Sequence, residues 1–193
     1  MLIWEGGEIF KNIKENDLVL AFFPCIYFCE ASQCAFHLWH FNYRTWTEEA
    51  KIAKILEREK KRTEYYSRLI KLVGVCLSRK IRIIIENPWS GVGYLNNNFL
   101  KEPSIIDMDR TRRGDFYKKP TAFWFFNCEP SNGCSFQKTP INKIKTIRNS
   151  KSATKAGLCS EERSLISTDY ARNFICDFVL GQSQPTVCKT LFD

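Results

Sequence analysis

The sequence contains no apolar run that approaches the roughly 20 residues needed for a membrane-spanning helix. Its start, residues 1–7, also lacks the basic and then apolar layout of a secretory signal. We therefore predict a cytoplasmic protein with no membrane partner. Cys128 and Cys134 bracket a turn, but no second Cys/His pair at ligand spacing accompanies them. We predict no bound metal, with a zinc-stabilised module as the minor alternative.

The nine cysteines would suggest disulfides in a small secreted protein, but this chain has 193 residues and no visible secretion signal. Nine is also an odd number. We predict reduced thiols, some of them buried and one of them catalytic.

The composition is that of one folded domain. Hydrophobic residues make up 44% of the chain and charged residues 26%, which suits a domain with a core and not a disordered chain. The formal net charge is +8. A charge of this size favours contact with nucleic acid, but a solvated basic surface explains it equally well.

An apolar run opens after Asp17 and stops at Pro24, immediately before Cys25. A short run that is rich in Leu, Val and Phe and bounded by a breaker predicts a buried strand. This strand would deliver Cys25 to its C-terminal end, where open α/β sheets keep their chemistry. The alternative, which the run alone favours, is that Cys25 is only a small apolar residue at a strand end.

An aromatic-rich loop and then a long helix follow Cys25. His37 and His40 lie in the loop and are predicted to pack, or to face a substrate, without doing chemistry. Thr45 and Glu48 fit a capping box, and helical periodicity continues to about residue 77. The charged stretch 57–62 indicates either a solvated face or a break between two helices.

A β-branched run at residues 80–85 predicts a second strand, which ends in Glu86. A strand, a helix and a strand in succession form a right-handed crossover, which makes the two strands parallel. Their C-terminal ends then meet at one edge of the sheet. We therefore expect Cys25 and Glu86 to lie at the same edge.

The remaining chain adds strands at about 105–108 and 120–126 and a last helix from about Ser167 to Leu180, ended by Gly181. The fold class is therefore α/β, a partial Rossmann-like and mostly parallel sheet with flanking helices. Residues 127–157 are polar and basic and are predicted to form a loop that contacts an anionic partner. A disordered insert without a partner is the alternative.

A cysteine beside a glutamate at two strand ends suggests a nucleophile beside an acid. A thiolate adds to electron-poor carbons, and a carboxyl in low-dielectric surroundings donates a proton or a hydrogen bond to a ring nitrogen. Attack at C6 of cytosine needs this pair, since the thiol forms the adduct while the acid engages N3. The base must leave the duplex to be reached.

These residues resemble motifs of the DNA (cytosine-5) methyltransferases, a class I methyltransferase family, and most closely those of compact phage and gut-bacterial methylases. Phe23-Pro24-Cys25 resembles the family's Pro-Cys motif, and Glu86-Asn87-Pro88 resembles its Glu-Asn motif. The similarity spans roughly residues 17–180. It continues, in the family's order, through Arg113-Gly114-Asp115, the run Lys119 to Trp124, the turn Cys128 to Cys134, the run Ser150 to Gly157, and Glu162-Arg163-Ser164 with Ile166.

The resemblance implies a DNA cytosine-5 methyltransferase in which Cys25 is the nucleophile and Glu86 the partner of N3. Asn87 and Pro88 would shape the loop behind Glu86. The substrate would be double-stranded DNA, with Lys119 as the best basic candidate to contact it near the flipped base and Lys118 and Arg113 as weaker candidates. The methyl donor would be S-adenosylmethionine, as in restriction-modification systems and phages.

Two features of the family do not precede residue 17: a strand ending in a Gly-containing turn for S-adenosylmethionine, and a second strand ending in an acidic residue for the ribose. We therefore expect a partner chain to carry that N-terminal half. The residues that bind the cofactor are accordingly unknown. The alternative is a catalytically inactive relative that binds nucleic acid or another protein.

Overall fold

A computed structural model describes residues 11–116, 118–131 and 165–181. The chain divides into two compact units. The first comprises residues 1–106 and 121–129, and the second comprises residues 107–120 and 130–193. Most of the predicted basic loop, residues 132–157, lies outside the described residues, as does Cys134.

The helices and strands are as follows, in chain order: β1 (Leu18–Phe22), α1 (Glu30–Gln33), α2 (Glu48–Ser78), β2 (Arg82–Pro88), α3 (Tyr94–Asn98), β3 (Ile105–Asp107), β4 (Thr121–Phe126) and α4 (Thr168–Phe174). A π-helix, Ile175–Leu180, continues α4. Short 3-10 turns lie at Cys25–Tyr27, Cys34–Phe36, Phe41–Tyr43 and Arg110–Arg113. The strands and the last helix lie within a few residues of their predicted positions.

The four strands form one sheet in the order β1-β2-β4-β3. The predicted parallel pairing of β1 with β2 is confirmed. The expectation of a mostly parallel sheet is not met, because β4 enters between β2 and β3 and runs antiparallel to β2. A buried strand has a continuous apolar sequence whether it is parallel or antiparallel to its neighbour. The sequence therefore could not predict the direction of β4 relative to β2. The structure is a mixed α/β sheet with flanking helices.

The long helix α2 has 31 residues and is unbroken, so of the two interpretations of residues 57–62 the break between two helices is excluded. The charged side chains of this stretch form ion pairs with residues three or four positions away on the helix surface, such as Lys61 with Glu57. The N-cap is Thr47, whose hydroxyl accepts a hydrogen bond from the amide of Ala50 at 3.3 Å. The capping box predicted at Thr45 was therefore wrong, because Thr47 meets the same chemical requirement two residues closer to the helix.

One side of the sheet packs against the C-terminal half of α2. The buried cluster there contains alternate residues of the strands, as the two-residue period of a strand requires. Its members are Ala21, Phe28, Leu69, Leu72, Val73, Cys76, Ile81, Ile83, Ile85, Leu95, Ala122, Trp124 and Phe126. Asn127, at φ 56°, closes the helix end, since its side-chain amide donates to the carbonyls of Cys76 and Ile81.

The described part of the second unit is organised around α4 and the π-helix. Ser167 caps α4 by accepting a hydrogen bond from the amide of Tyr170 at 3.2 Å. The predicted helix end is confirmed at Gly181, which adopts the left-handed conformation at φ 66°. Across the described ranges of both units, no helix is both long enough and apolar enough to cross a membrane.

Candidate active site

The parallel pairing brings the ends of β1 and β2 to the same level. Phe22, the last residue of β1, lies opposite Glu86 in the register of the two strands. Cys25 follows three residues later, at the start of a 3-10 turn that Pro24 caps. The prediction that Cys25 and Glu86 belong to one edge of the sheet therefore agrees with the strand register.

The turn after Pro24 holds Cys25 by its main chain. The carbonyl of Cys25 accepts hydrogen bonds from the amides of Phe28 and Cys29, both at 2.9 Å. Phe28 is almost completely buried in the core, which anchors the far end of the turn. Cys25 itself is half-buried, as a thiol that must meet a substrate would be.

A main-chain hydrogen bond joins this turn to the segment that follows Glu86. The amide of Tyr94 donates to the carbonyl of Phe28 at 2.7 Å, and the two rings lie 6.0 Å apart. The segment that carries Cys25 and the segment that follows Glu86 are thus joined by a main-chain hydrogen bond and by ring packing. These contacts and the strand register bring the main chain of the two segments together.

Glu86 and Asn87 are buried polar residues near the end of a buried strand, with 8% and 1% of their surfaces exposed. Antiparallel pairing sets Glu86 opposite Phe123 and sets Asn87 opposite Ala122 on β4. Successive residues of a strand point to opposite faces, so Glu86 lies on the face away from the core residues Ile83 and Ile85. A carboxyl buried at the end of a strand can form a hydrogen bond to a substrate that reaches it.

Pro88 ends β2 and lies opposite Thr121, the first residue of β4. In the loop after it, asparagine side chains donate hydrogen bonds to main-chain carbonyls. The amide of Asn96 donates to the carbonyl of Ser90, and that of Asn97 donates to Gly93 at 2.9 Å. A Cβ atom on Gly93 would come within 2.8 Å of the Asn96 side chain, whereas Gly91 has open space around it.

The three predicted DNA-contacting cations all belong to the second unit. Lys118 is exposed and Lys119 is half-buried two residues before β4. The guanidinium of Arg113 binds two buried carboxylates, with its Nη1 at 3.0 Å from Asp107 and its Nε at 3.3 Å from Asp177. Arg113 is therefore built into the second unit, and its predicted contact with DNA stays a prediction.

Arg113 is part of a buried ionic network that the sequence did not suggest. Arg110 is fully buried and pairs with Asp115, which is also buried, and its guanidinium lies 4.4 Å from the ring centre of Tyr170. The hydroxyl of Tyr170 donates to Asp107 at 3.0 Å. Burial, and then the negative charge of Asp107, raise the pKa of Tyr170, so the hydroxyl stays a proton donor at neutral pH.

The sequence also missed two arginines of α2 that contact the Cys25 loop. Arg58 donates to the carbonyl of Ile26 at 3.2 Å, and Arg62 lies over the rings of Phe36 and Tyr94. A signal was present, since residues 58, 62 and 66 are spaced by four and continue the apolar face of the helix. This spacing was overlooked because most residues around positions 58 and 62 are charged.

The other candidate groups take structural positions. The ring of His40 is buried against Phe41 and Tyr43, with centroids at 4.5 and 4.9 Å, as the packing interpretation predicted. His37 is stacked on Trp39. Burial, and then the charge of Arg58, lower the pKa of His40, which favours the neutral imidazole.

The cysteines at positions 25, 29, 34, 76, 128 and 176 are all thiols outside any disulfide. Burial raises the pKa of both Cys76 and Cys128, which makes these two thiols poor nucleophiles at neutral pH. Among the residues that the structure describes, no three His, Cys, Asp or Glu side chains gather as a metal site.

No family model, no curated protein and no solved structure matches this chain.

Proposed function

We propose that this chain is the base-activating segment of a DNA (cytosine-5) methyltransferase. The observation that carries the proposal is the parallel register of β1 and β2, with Phe22 opposite Glu86 and the Cys25 turn directly beyond it. The motifs that resemble the family thus occur at adjacent strand ends. We further propose that the sheet is the C-terminal half of a class I methyltransferase sheet, in which β4 would be the inserted antiparallel strand.

In this function, the thiolate of Cys25 attacks C6 of a cytosine that has left the duplex. An S–C6 bond forms, and the electrons of the C5–C6 double bond move to C5. Glu86 supports the step by a hydrogen bond to N3, which makes the ring a better electron acceptor. C5 is then nucleophilic enough to take a methyl group or, without a methyl donor, a proton from water.

Among the described residues, no strand precedes β1, so none ends in the Gly-containing turn that the family uses for S-adenosylmethionine, and we derive no step through this cofactor. In the proposed function, the donor is held by a partner chain. The contribution of this chain is to bind the cytosine, to attack it and to hold it activated.

The proposal is tested by an exchange reaction that needs no methyl donor. Duplex DNA that carries tritium at C5 of cytosine is incubated with the chain, and tritium released to water is counted. Addition of Cys25 to C6, uptake of a solvent proton at C5, loss of the tritium and departure of the thiolate return the original cytosine. We expect release from the wild type and at least a hundredfold less from Cys25→Ala, the usual scale for removal of a nucleophile.

Cys29→Ala is the matched control, because Cys29 lies one turn further on and contacts the hydroxyl of Ser32. It should release tritium at the wild-type rate. The measurement is repeated with any partner chain encoded beside this one, and DNA binding is measured in parallel. If DNA binds but no combination releases tritium, the methyltransferase function is wrong, and a non-catalytic nucleic-acid-binding protein is what remains.

A further inference from the structure

Arg58 of helix α2 contacts the turn that begins at Cys25. Its Nη2 donates a hydrogen bond to the carbonyl of Ile26, the residue next to the thiol, at 3.2 Å. Its guanidinium also lies over the rings of Tyr27 and Phe36, at 5.6 and 5.0 Å from their centres. Arg58 therefore contacts both the main chain and the side chains of the segment that follows Cys25.

Arg62, one turn further along α2, pairs with Glu59 and contacts the segments that come after the Cys25 turn and after Glu86. Its guanidinium lies 4.0 Å from the ring centre of Phe36, in the 3-10 turn that follows α1, and 4.5 Å from that of Tyr94, the first residue of α3. Its Nη1 donates to the side chain of Gln33 at 3.3 Å. Only 14% of the Arg62 side chain is exposed, so these contacts are shielded from solvent.

Two aromatic pairs extend the same contact. Tyr65 of α2 stacks on Tyr27, with ring centres 5.3 Å apart, and Tyr66 meets Tyr94 edge to face at 5.7 Å. Each pair joins the helix to one of the two loops. The helix that separates β1 from β2 in sequence therefore holds the loops that follow both strands.

We propose that Arg58 and Arg62 are positioning residues, which hold the Cys25 turn in register with the loop after Glu86. The proposal rests on the function proposed above and extends it to residues that touch no substrate. A planar guanidinium can stack on a ring and donate in its own plane at the same time, whereas a lysine ammonium cannot. Because a misplacement of about 1 Å can slow a reaction by about a hundredfold, such contacts would govern the rate of attack.

The test compares Arg62→Met and Arg62→Lys with Arg68→Met. Arg68 lies on the same helix, pairs with Glu64 and is 5.8 Å from the ring of Tyr65, but it contacts neither loop. At saturating DNA, we expect both Arg62 variants to release tritium from C5 at a rate lower by about 10- to 100-fold. Their Kd for DNA should change by less than about threefold, since a positioning defect affects the step after binding. Arg68→Met should match the wild type in both.

Lysine at position 62 separates positioning from charge. If Arg62→Lys restores the rate, the residue acts through its charge alone and the proposal is wrong. Phe36→Leu provides a second variant in case the arginine variants fold poorly, because it removes the ring on which both guanidinium groups lie. Each variant is first checked for an unchanged far-ultraviolet circular dichroism spectrum.

A second measurement does not depend on the methyltransferase function. The rate at which iodoacetamide alkylates Cys25, followed by mass spectrometry without DNA, reports how often the turn opens. We expect Arg58→Met and Arg62→Met to raise this rate by about fivefold, and Arg68→Met to leave it unchanged.

The two measurements fail separately. If the wild type releases no tritium but alkylation of Cys25 is faster in the Arg58 and Arg62 variants, the positioning contact is supported and the proposed chemistry is wrong. If the wild type releases tritium and neither rate changes in the Arg58 and Arg62 variants, the chemistry stands and the positioning role is overturned.

Discussion

Arginines contact aromatic rings in both units of this protein, but the carboxylates that they bind differ in burial. In the first unit, Arg58 and Arg62 lie on rings and donate to neutral oxygens, and Arg62 also pairs with Glu59, whose side chain is 42% exposed. In the second unit, Arg110 and Arg113 also lie over rings, but they bind buried carboxylates. In the sequence, all four are arginines in charged stretches, and nothing in their immediate neighbours separates the two uses.

The difference predicts how each unit responds to mutation. Loss of an arginine that stacks on rings removes an attraction but leaves no buried charge behind. Loss of one member of a buried ion pair leaves its partner charged and desolvated, which costs much more than the pair contributed. The second unit should therefore be sensitive to single substitutions in its ion pairs, and the first unit should tolerate them in stability while losing precision at the site.

The largest effect is expected from Asp115→Ala, which leaves the guanidinium of Arg110 in a site with 0% exposure. We expect the free energy of unfolding to fall by about 3–5 kcal/mol, measured by urea denaturation. The matched control is the double variant Arg110→Met with Asp115→Leu, which removes both charges. It should be near the wild type in stability, and a double variant as unstable as Asp115→Ala would show that packing, not charge, determines the loss.

Replacement of an arginine by methionine in each unit compares the stability that the two kinds of arginine contribute. Arg113→Met leaves Asp107 and Asp177 buried, and we expect a loss of about 3 kcal/mol. Arg62→Met leaves only Glu59, whose side chain is 42% exposed, and should lose about 1 kcal/mol. Equal losses in urea denaturation would remove the distinction between the two units.

A pH dependence is expected from His40 in the first unit, whose pKa is lowered by burial and by the charge of Arg58. As the pH falls below the unfolded value of 6.5, the unfolded chain takes up a proton before the folded one does. Stability should therefore rise with pH toward neutrality, and it should be lost as the pH falls toward the folded pKa. His40→Phe keeps an aromatic ring in place but removes the titratable group, so the free energy of unfolding should depend less on pH. Urea denaturation from pH 5 to pH 8 measures this dependence. An unchanged dependence on pH would contradict its assignment to His40.

The smallest effect is expected from Arg172→Ala in the second unit. Arg172 pairs with Asp169 one turn away, and both side chains are about 60% exposed. An exposed pair of this kind contributes less than about 0.5 kcal/mol, and added salt screens it further. A loss above 1 kcal/mol would mean that burial does not decide which ion pairs matter in this unit.

Much of the local structure could be predicted from short stretches of sequence. The end of β1 before Pro24, the end of the last helix at Gly181 and the packing of His40 follow from the properties of neighbouring residues. The N-cap at Thr47 was predicted two residues too early, because Thr45 and Thr47 offer the same side-chain chemistry.

The candidate site was predicted through one inference of topology, that a strand, a helix and a strand in succession make the strands parallel. This was enough to bring Cys25 and Glu86 to one edge, and the register of Phe22 with Glu86 agrees with it. The arginines that contact the Cys25 loop and the ionic network around Arg110 could not be predicted in this way. The separation in sequence is 32 residues for Arg58 with Ile26, 29 for Arg62 with Gln33 and 64 for Arg113 with Asp177.

The sequence by itself therefore determined which segments are strands and helices, and which two residues stand at the ends of β1 and β2, because those properties depend on local periodicity and on chain breakers. Only the tertiary structure decided the direction of β4, the unbroken length of α2 and the use made of each arginine. A strand direction and an ion pair are both chosen by the free energy of burial, which depends on what distant residues bring to the same place.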